Sequence, residues 1–341
     1  MVMVATGVQN TLKVSQEESM DVAQLKKALQ SMPAPFYGAN TYNEEEISAA
    51  VRVIYNQSPF RYYGKKWTRE AEQFEAEAAK YFGVKYACAT NSGSGGLLLA
   101  LHALDVGPGD EVIVPGFFWI AISNAILLRG AMPVIAEIDE TLNLDPKDLK
   151  KKITSKTKAV VAVHMSGGQA DMAAIRKVCD TRRIPILEDF SQCNGASIGR
   201  RRVGSMGDVG VTSLQLNKAI TAGEGGLVVT SGKDYYTKAS ARSDMGYPRA
   251  GGISDARAKG SFITVGEGRR FNEISAAIMR VQLRKLPEIT KHMAASKKRI
   301  LAALETKACT PRKVVDPTGD LGSTLTLIFN TEKDAAKYFR D

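Results

Sequence analysis

From Tyr42 onward, apolar residues recur at helical spacing. Ile47, Val51 and Ile54 form one stripe, and Phe74, Ala78 and Tyr81 form a second after Arg69. The pattern then changes to short apolar runs at 86–90, 111–114, 133–136, 159–163 and 185–188, which read as strands. Between them lie helical patterns at 97–104, 120–128, 146–152 and 171–182. Strands alternating with helices predict βαβ units and a mostly parallel sheet covered on both faces. After Asp189 the rhythm breaks, because strands at 209–213 and 227–230 leave little room for a helix between them. Such a stretch is expected to build a site. A helix over 233–243 follows, then a Gly-rich loop over 246–268. A long periodic helix through Ile274, Ile278, Val281 and Leu286 is expected to stop at Pro287, with another helix running to Leu304. The last strand is predicted at 323–329, and a final helix from Thr331 to Asp341. This gives a polar leader over 1–41, a large domain over 42–286 and a partial small domain over 287–341.

Composition narrows the class. With 341 residues, 44% hydrophobic and 24% charged, the chain can bury a large core and is neither disordered nor fibrous. The longest apolar stretch, 117–128, carries Ser123 and Asn124 and falls short of the ~20 residues of a membrane span. No membrane partner is expected. Residues 1–30 lack an apolar run with a small-residue cleavage site, so the cytoplasm is the expected compartment. Cys88, Cys179, Cys193 and Cys309 are scattered, which argues against a disulfide framework or a metal site. The net charge of +10 allows a polyanion, but Lys150, Lys151, Lys152, Lys156 and Lys158 cluster at a predicted helix end, and Arg200, Arg201 and Arg202 sit in a Gly-flanked turn. These read as solvated charge, with no nucleic-acid partner, and leave an acidic substrate possible.

Three features carry chemistry. The turn Asn91-Ser-Gly-Ser-Gly-Gly96 joins a strand to a helix, where free N–H groups and the helix dipole can hold a phosphate. It lacks the Gly-Lys-Ser/Thr ending of an ATP-binding P-loop. Asp189 closes an apolar strand, at the carboxyl end where open α/β sheets bind ligands. Read alone it is equally a helix cap or a metal ligand. Lys218 stands between a strand end and the glycine cluster Gly223-Glu-Gly-Gly226, where burial could lower its pKa and let it form a Schiff base. A phosphate cradle, a carboxylate and an amine together are what pyridoxal 5'-phosphate (PLP) requires.

In Phe60-Arg-Tyr62, Asn91-Ser-Gly-Ser94, Gly107-Pro-Gly-Asp-Glu-Val-Ile-Val-Pro115, Val163-His164, Glu188-Asp-Phe-Ser-Gln192, Val203-Gly-Ser-Met-Gly-Asp208, Lys218, Gly223-Glu-Gly-Gly226 and Phe271-Asn-Glu273, the chain resembles the DegT-type sugar aminotransferases of fold-type-I PLP enzymes. The likeness runs from about Tyr42 to Leu286. It implies an α/β fold with a mostly parallel sheet and a smaller C-terminal α+β domain. It also implies that Lys218 carries the cofactor and shuttles a proton, Asp189 pairs with the pyridine nitrogen, and Gln192 meets the phenolic oxygen. By the same resemblance Gly93, Ser94 and Ser213 hold the phosphate with Asn272 of a second subunit, and Trp119 stacks on the ring. Trp119 is otherwise simply a buried side chain, and His164 has no catalytic role. Two positions depart from the family pattern: Ser94 stands where threonine is usual, and so does Phe118.

The implied reaction moves an amino group from glutamate or glutamine to a keto sugar, in a homodimer, for amino-sugar biosynthesis. Ala136-Glu-Ile-Asp-Glu-Thr141, Val163-His-Met165 and Asp316-Pro-Thr-Gly-Asp320 resemble the amino-octulosonate transaminases of lipopolysaccharide synthesis. A cyclitol aminotransferase of the scyllo-inosose type is the alternative. A sugar dehydratase on the same scaffold is disfavoured because those enzymes lack the lysine. From another class, a non-catalytic regulator could use the same scaffold.

Overall fold

Seven strands form the central sheet in the order β1-β9-β8-β5-β4-β2-β3. They are β1 (Tyr86–Thr90), β2 (Glu111–Pro115), β3 (Met132–Ala136), β4 (Thr157–Val163), β5 (Ile186–Asp189), β8 (Val209–Ser213) and β9 (Gly226–Thr230). The computed structural model describes residues 37–246, 264–303, 309–333 and 335. Strands β8, β5, β4, β2 and β3 run parallel, and β9 is reversed between β8 and β1. The expected mostly parallel sheet is present. Its central strands are buried along nearly their whole length, as parallel strands covered on both faces must be.

The helices begin where their caps dictate. Asn43 and Glu46 form a capping box that opens α1 (Glu44–Tyr55), and α2 (Glu70–Phe82) ends at Gly83. Ser92 accepts the Gly95 N–H at 3.0 Å and opens α3 (Gly93–Ala103). The predicted glycine turn is therefore the first turn of the helix itself. Helix α4 (Ala121–Leu128) follows β2. Asp145 with Pro146 opens α5 (Pro146–Lys152), and Asp171 opens α6 (Met172–Asp180). A two-stranded ribbon, β6 (Ser197–Ile198) with β7 (Arg201–Arg202), and helix α7 (Lys233–Ser243) complete the sheet's surroundings.

Four expectations change. The α1 stripe Ile47, Val51 and Ile54 faces outward, at 40%, 55% and 58% exposure. Its opposite face is the buried one: Ala49 and Val53 pack with Ala277 and Val281, and Glu46 accepts hydrogen bonds from Lys285 and Gln282. Pro287 does not divide two helices, because α8 (Glu273–Ala303) runs through it. Proline removes one ladder bond, yet Leu286, Ile289 and Met293 on both sides of it are buried in one core. A strand unanticipated from sequence, β10 (Cys309–Pro311), pairs antiparallel with β11 (Leu327–Phe329). The strand foreseen at 323–329 is confined to those last three residues. The leader up to residue 36, most of the 246–268 loop and most of the final helix lie outside the described residues. No helix among the described residues is long and apolar enough to cross a membrane.

At the end of β5 the consecutive carboxyl residues Glu188 and Asp189 are both buried. Glu188 accepts from His164 Nε2 at 2.9 Å and from the N–H groups of Gly204, Met206 and Gly207 at 2.5, 2.8 and 2.6 Å. His164 Nδ1 in turn accepts the Ala170 N–H at 3.0 Å, so Nε2 is the donor. Burial raises the Glu188 pKa, but the His164 contact and the backbone donors outweigh it and hold the carboxyl below the 4.5 of an ordinary glutamate. A depressed folded pKa gives stability that is complete above the unfolded value and lost as pH falls through the folded one. Glu188→Gln places an amide N–H2 against backbone donors. It should cost about 3 kcal/mol at neutral pH and flatten the loss of stability below about pH 4.5. Urea unfolding of both proteins from pH 3 to pH 7 reads both effects, and parallel curves of equal midpoint would refute them.

Candidate functional site

At the carboxyl ends of the parallel strands lies a cleft of about 500 Å³. Gly93 and Ser94 from α3, Trp119 before α4, Asp189 at the end of β5 and Gln192 after it, and Ser213 at the end of β8 and Lys218 after it all line it. Seven of the eight residues singled out from sequence thus meet in one place. The eighth, Asn272, does not line the cleft: it is exposed before α8, where its Oδ1 accepts the Ser275 N–H at 2.8 Å.

The anion end is built by backbone. Gly93 and Ser94 open α3, so their N–H groups have no acceptor within the helix. A Cβ on Gly93 would lie 2.6 Å from Ser213 Cβ, so only glycine lets the helix start sit this close to the end of β8. Ser213 is itself fixed, its N–H donating to Ser191 Oγ at 2.9 Å. Helix dipole, free donors and the Ser213 hydroxyl make a cradle for a phosphate-sized anion.

The charged end is built by burial. Asp189 is 6% exposed, and its Oδ1 accepts the Ser191 N–H at 2.9 Å. Burial raises its pKa, against the lowering by Ser191 and by the charge of Lys218. Burial likewise lowers the Lys218 pKa, while the charge of Asp189 opposes the fall. Each group is the other's counter-charge. A cationic ring nitrogen at Asp189 would satisfy that carboxylate, and an amine shifted downward is the better nucleophile. Lys218 is presented by the turn between β8 and β9, closed by Leu214 N–H to Gly225 O at 2.9 Å and Leu216 N–H to Gly223 O at 3.0 Å.

Trp119 is 66% exposed, which removes the alternative that it is a buried packing residue. It borders the cleft as an aromatic wall. His164 is wholly buried and donates to Glu188. Phe118 packs against the core that includes Leu97 and Ile122. Ser191, Asn217 and Glu224 also line the cleft but were not singled out. Ser191 stands two residues from Asp189 and Glu224 inside the quoted glycine cluster, so proximity to known features was the available signal. A phosphate cradle, a buried carboxylate and a downshifted amine around one space fit the charge pattern of PLP.

The profile of the DegT/DnrJ/EryC1/StrS aminotransferase family matches residues 41–335. The L-glutamine:2-deoxy-scyllo-inosose aminotransferase of Streptoalloteichus tenebrarius is 39% identical over 222 residues, which cover 63% of this chain and 52% of that protein. The GDP-perosamine synthase of Caulobacter vibrioides is 39% identical over 236 residues, 69% of this chain and 61% of that one. The chain thus spans little more than half the length of these relatives. The E. coli GDP-4-keto-6-deoxy-D-mannose-3-dehydratase, solved with bound hydrated PLP, superposes with a TM-score of 0.74 at 25% identity over 87% of this chain and 79% of that one. The match over most of the chain, on a sheet whose carboxyl ends gather Gly93, Asp189 and Lys218, establishes that the chain belongs to the DegT/DnrJ/EryC1/StrS aminotransferase family.

Proposed function

We propose that the protein is a PLP-dependent aminotransferase that takes an amino group from glutamate or glutamine and delivers it to a keto sugar in amino-sugar biosynthesis. The observation that carries this reading is the placing of Lys218 and Asp189 on one cleft with the α3 N-terminus. PLP bound there would supply an aldehyde that exchanges amines and a ring that accepts electrons. Gly93, Ser94 and Ser213 would grip its phosphate, Asp189 would hold a proton on the ring nitrogen, and Trp119 would cover a face. Lys218 Nζ would hold the aldehyde and, once released, would move a proton to or from the substrate carbon; its burial favours the neutral amine that both tasks need.

A keto-sugar substrate is supported by the likeness to GDP-perosamine synthase, and a cyclitol, the second reading, by the likeness to the scyllo-inosose enzyme. The presence of Lys218 favours transamination over dehydration. The reading includes a homodimer in the cytoplasm, with Asn272 offered from its exposed position to the partner's phosphate cradle.

Borohydride reduction of the PLP-loaded protein, followed by peptide mapping, should leave the adduct on Lys218. Lys218→Ala should lose both the adduct and the amination of a keto-sugar and cyclitol panel with glutamate or glutamine as donor. An adduct at another lysine, or amination by the variant, would overturn the assignment. Gly93→Ala should weaken PLP binding about tenfold and, because the new Cβ meets Ser213 Cβ at 2.6 Å, also lower the unfolding midpoint; equal affinity in an absorbance titration would remove the cradle from the argument.

A further inference from the structure

Arg312 lies far from the charged end of the cleft in sequence, on the loop after β10, and is 6% exposed. Among the described residues no carboxylate forms an ion pair with it; Asp320, the nearest acid in effect, is engaged by Lys297. Its guanidinium instead donates to two carbonyls of the turn after β4, from Nη1 to Met165 O at 2.8 Å and from Nη2 to Ser166 O at 3.1 Å. A buried cation that accepts the loss of water and spends itself on two backbone oxygens is a costly way to close a turn. The cost suggests that the turn's shape matters.

Ser166 adopts φ 52° and ψ 44°, the left-handed region that a serine occupies only where its surroundings impose it. In that conformation its N–H donates to Gln192 Oε1 at 2.9 Å. Only the oxygen end of an amide can accept an N–H, so this bond fixes which way the Gln192 amide points and leaves Nε2 as the end free for a ligand. Gln192 lines the cleft beside Asp189 and Lys218. Space for the clamp is also built in: a Cβ on Gly168 would fall 1.9 Å from Arg312 Nη2. Asn143 holds the other side of the turn, accepting the Met165 N–H at 2.9 Å and donating to Gln169 O at 2.9 Å.

We infer that Arg312 is a positioning residue, which pins the Met165 and Ser166 carbonyls so that Ser166 keeps Gln192 oriented as a hydrogen-bond donor toward the cleft. The segment after α8 thereby sets the polarity of a contact in the site. For the identity of what Gln192 meets, the inference rests on the proposed PLP reading; for the orientation itself it does not.

The test uses the full chain as Arg312→Gln, Arg312→Lys, Gly168→Ala and Gln192→Ala, with the Arg312→Gln/Gln192→Ala double variant. In protein without PLP, the Ser166 amide should exchange with deuterium at least tenfold faster in Arg312→Gln, and by less in Arg312→Lys, while the Val161 amide in the core is unchanged. Gly168 is extended at φ −102°, so alanine fits its backbone and acts by displacing the guanidinium with its charge intact. Gly168→Ala should therefore behave as Arg312→Gln does, and reads the same device if Arg312→Gln does not fold. With PLP, Arg312→Gln should bind about tenfold more weakly than the parent and no more weakly once Gln192 is alanine. Unchanged Ser166 exchange, or losses that add in the double variant, would overturn the inference. A parent protein that binds no PLP would overturn the proposed function instead, and the exchange measurement would still decide on Arg312.

Discussion

The site depends on keeping two neighbouring buried carboxyl groups apart in purpose. Strand β5 ends in Glu188-Asp189, and successive side chains of a strand point to opposite faces. Glu188 turns away from the cleft and is fully engaged by His164 and three backbone N–H groups. Its charge is used up in tying the 203–207 segment to the sheet. Asp189 faces the cleft, and among the described residues only Ser191 donates a hydrogen bond to it, so its charge stays available to a ligand. A shift of register by one residue at this strand end would turn Asp189 away from the cleft and present the longer Glu188 in its place.

The same economy governs the neighbouring elements. The sheet is parallel up to β8, and its carboxyl ends converge where helix dipoles and loops can meet a ligand. Reversal at β9 lets a helix-free loop of twelve residues, 214–225, join β8 to β9 in place of a crossover helix, and that loop carries Lys218. A helix in its place would have covered the cleft. Strand β9 also brings Gly226 against the backbone of Ser92, where a Cβ would lie 2.3 Å from Ser92 O, so the lysine turn and the anion cradle are joined through one close contact.

What the sequence disclosed follows from the range of the interactions involved. Periodicity and caps are local, so the strands at 86–90 and 209–213 and the helix at 146–152 appear in the structure as read. Motifs that contact one ligand are also local, and seven of the eight chosen residues converge. The α1 stripe was misread because its buried face is held by Glu46 with Lys285 and Gln282, a polar contact across more than two hundred residues that hydrophobic spacing cannot register. The Pro287 boundary failed because tertiary burial on both sides outweighed one lost hydrogen bond. Arg312 carries no local signal at all: its partners are two carbonyls about 147 residues away, and any residue type supplies a carbonyl.

Asp189 and Lys218 form a coupled pair, and the coupling gives the cleft an order of events. Burial pushes both toward their neutral forms, and each is partly kept charged by the other. A cation that settles on Asp189 from the cleft takes over that carboxylate. Lys218 then loses the negative charge that had been holding its pKa up, and burial alone acts on it. Its amine would shift further toward the neutral form with a ligand bearing a positive ring nitrogen in place. The charge of Asp189 is thus felt by Lys218 at the other side of the cleft, and whatever neutralises the one acts on the other.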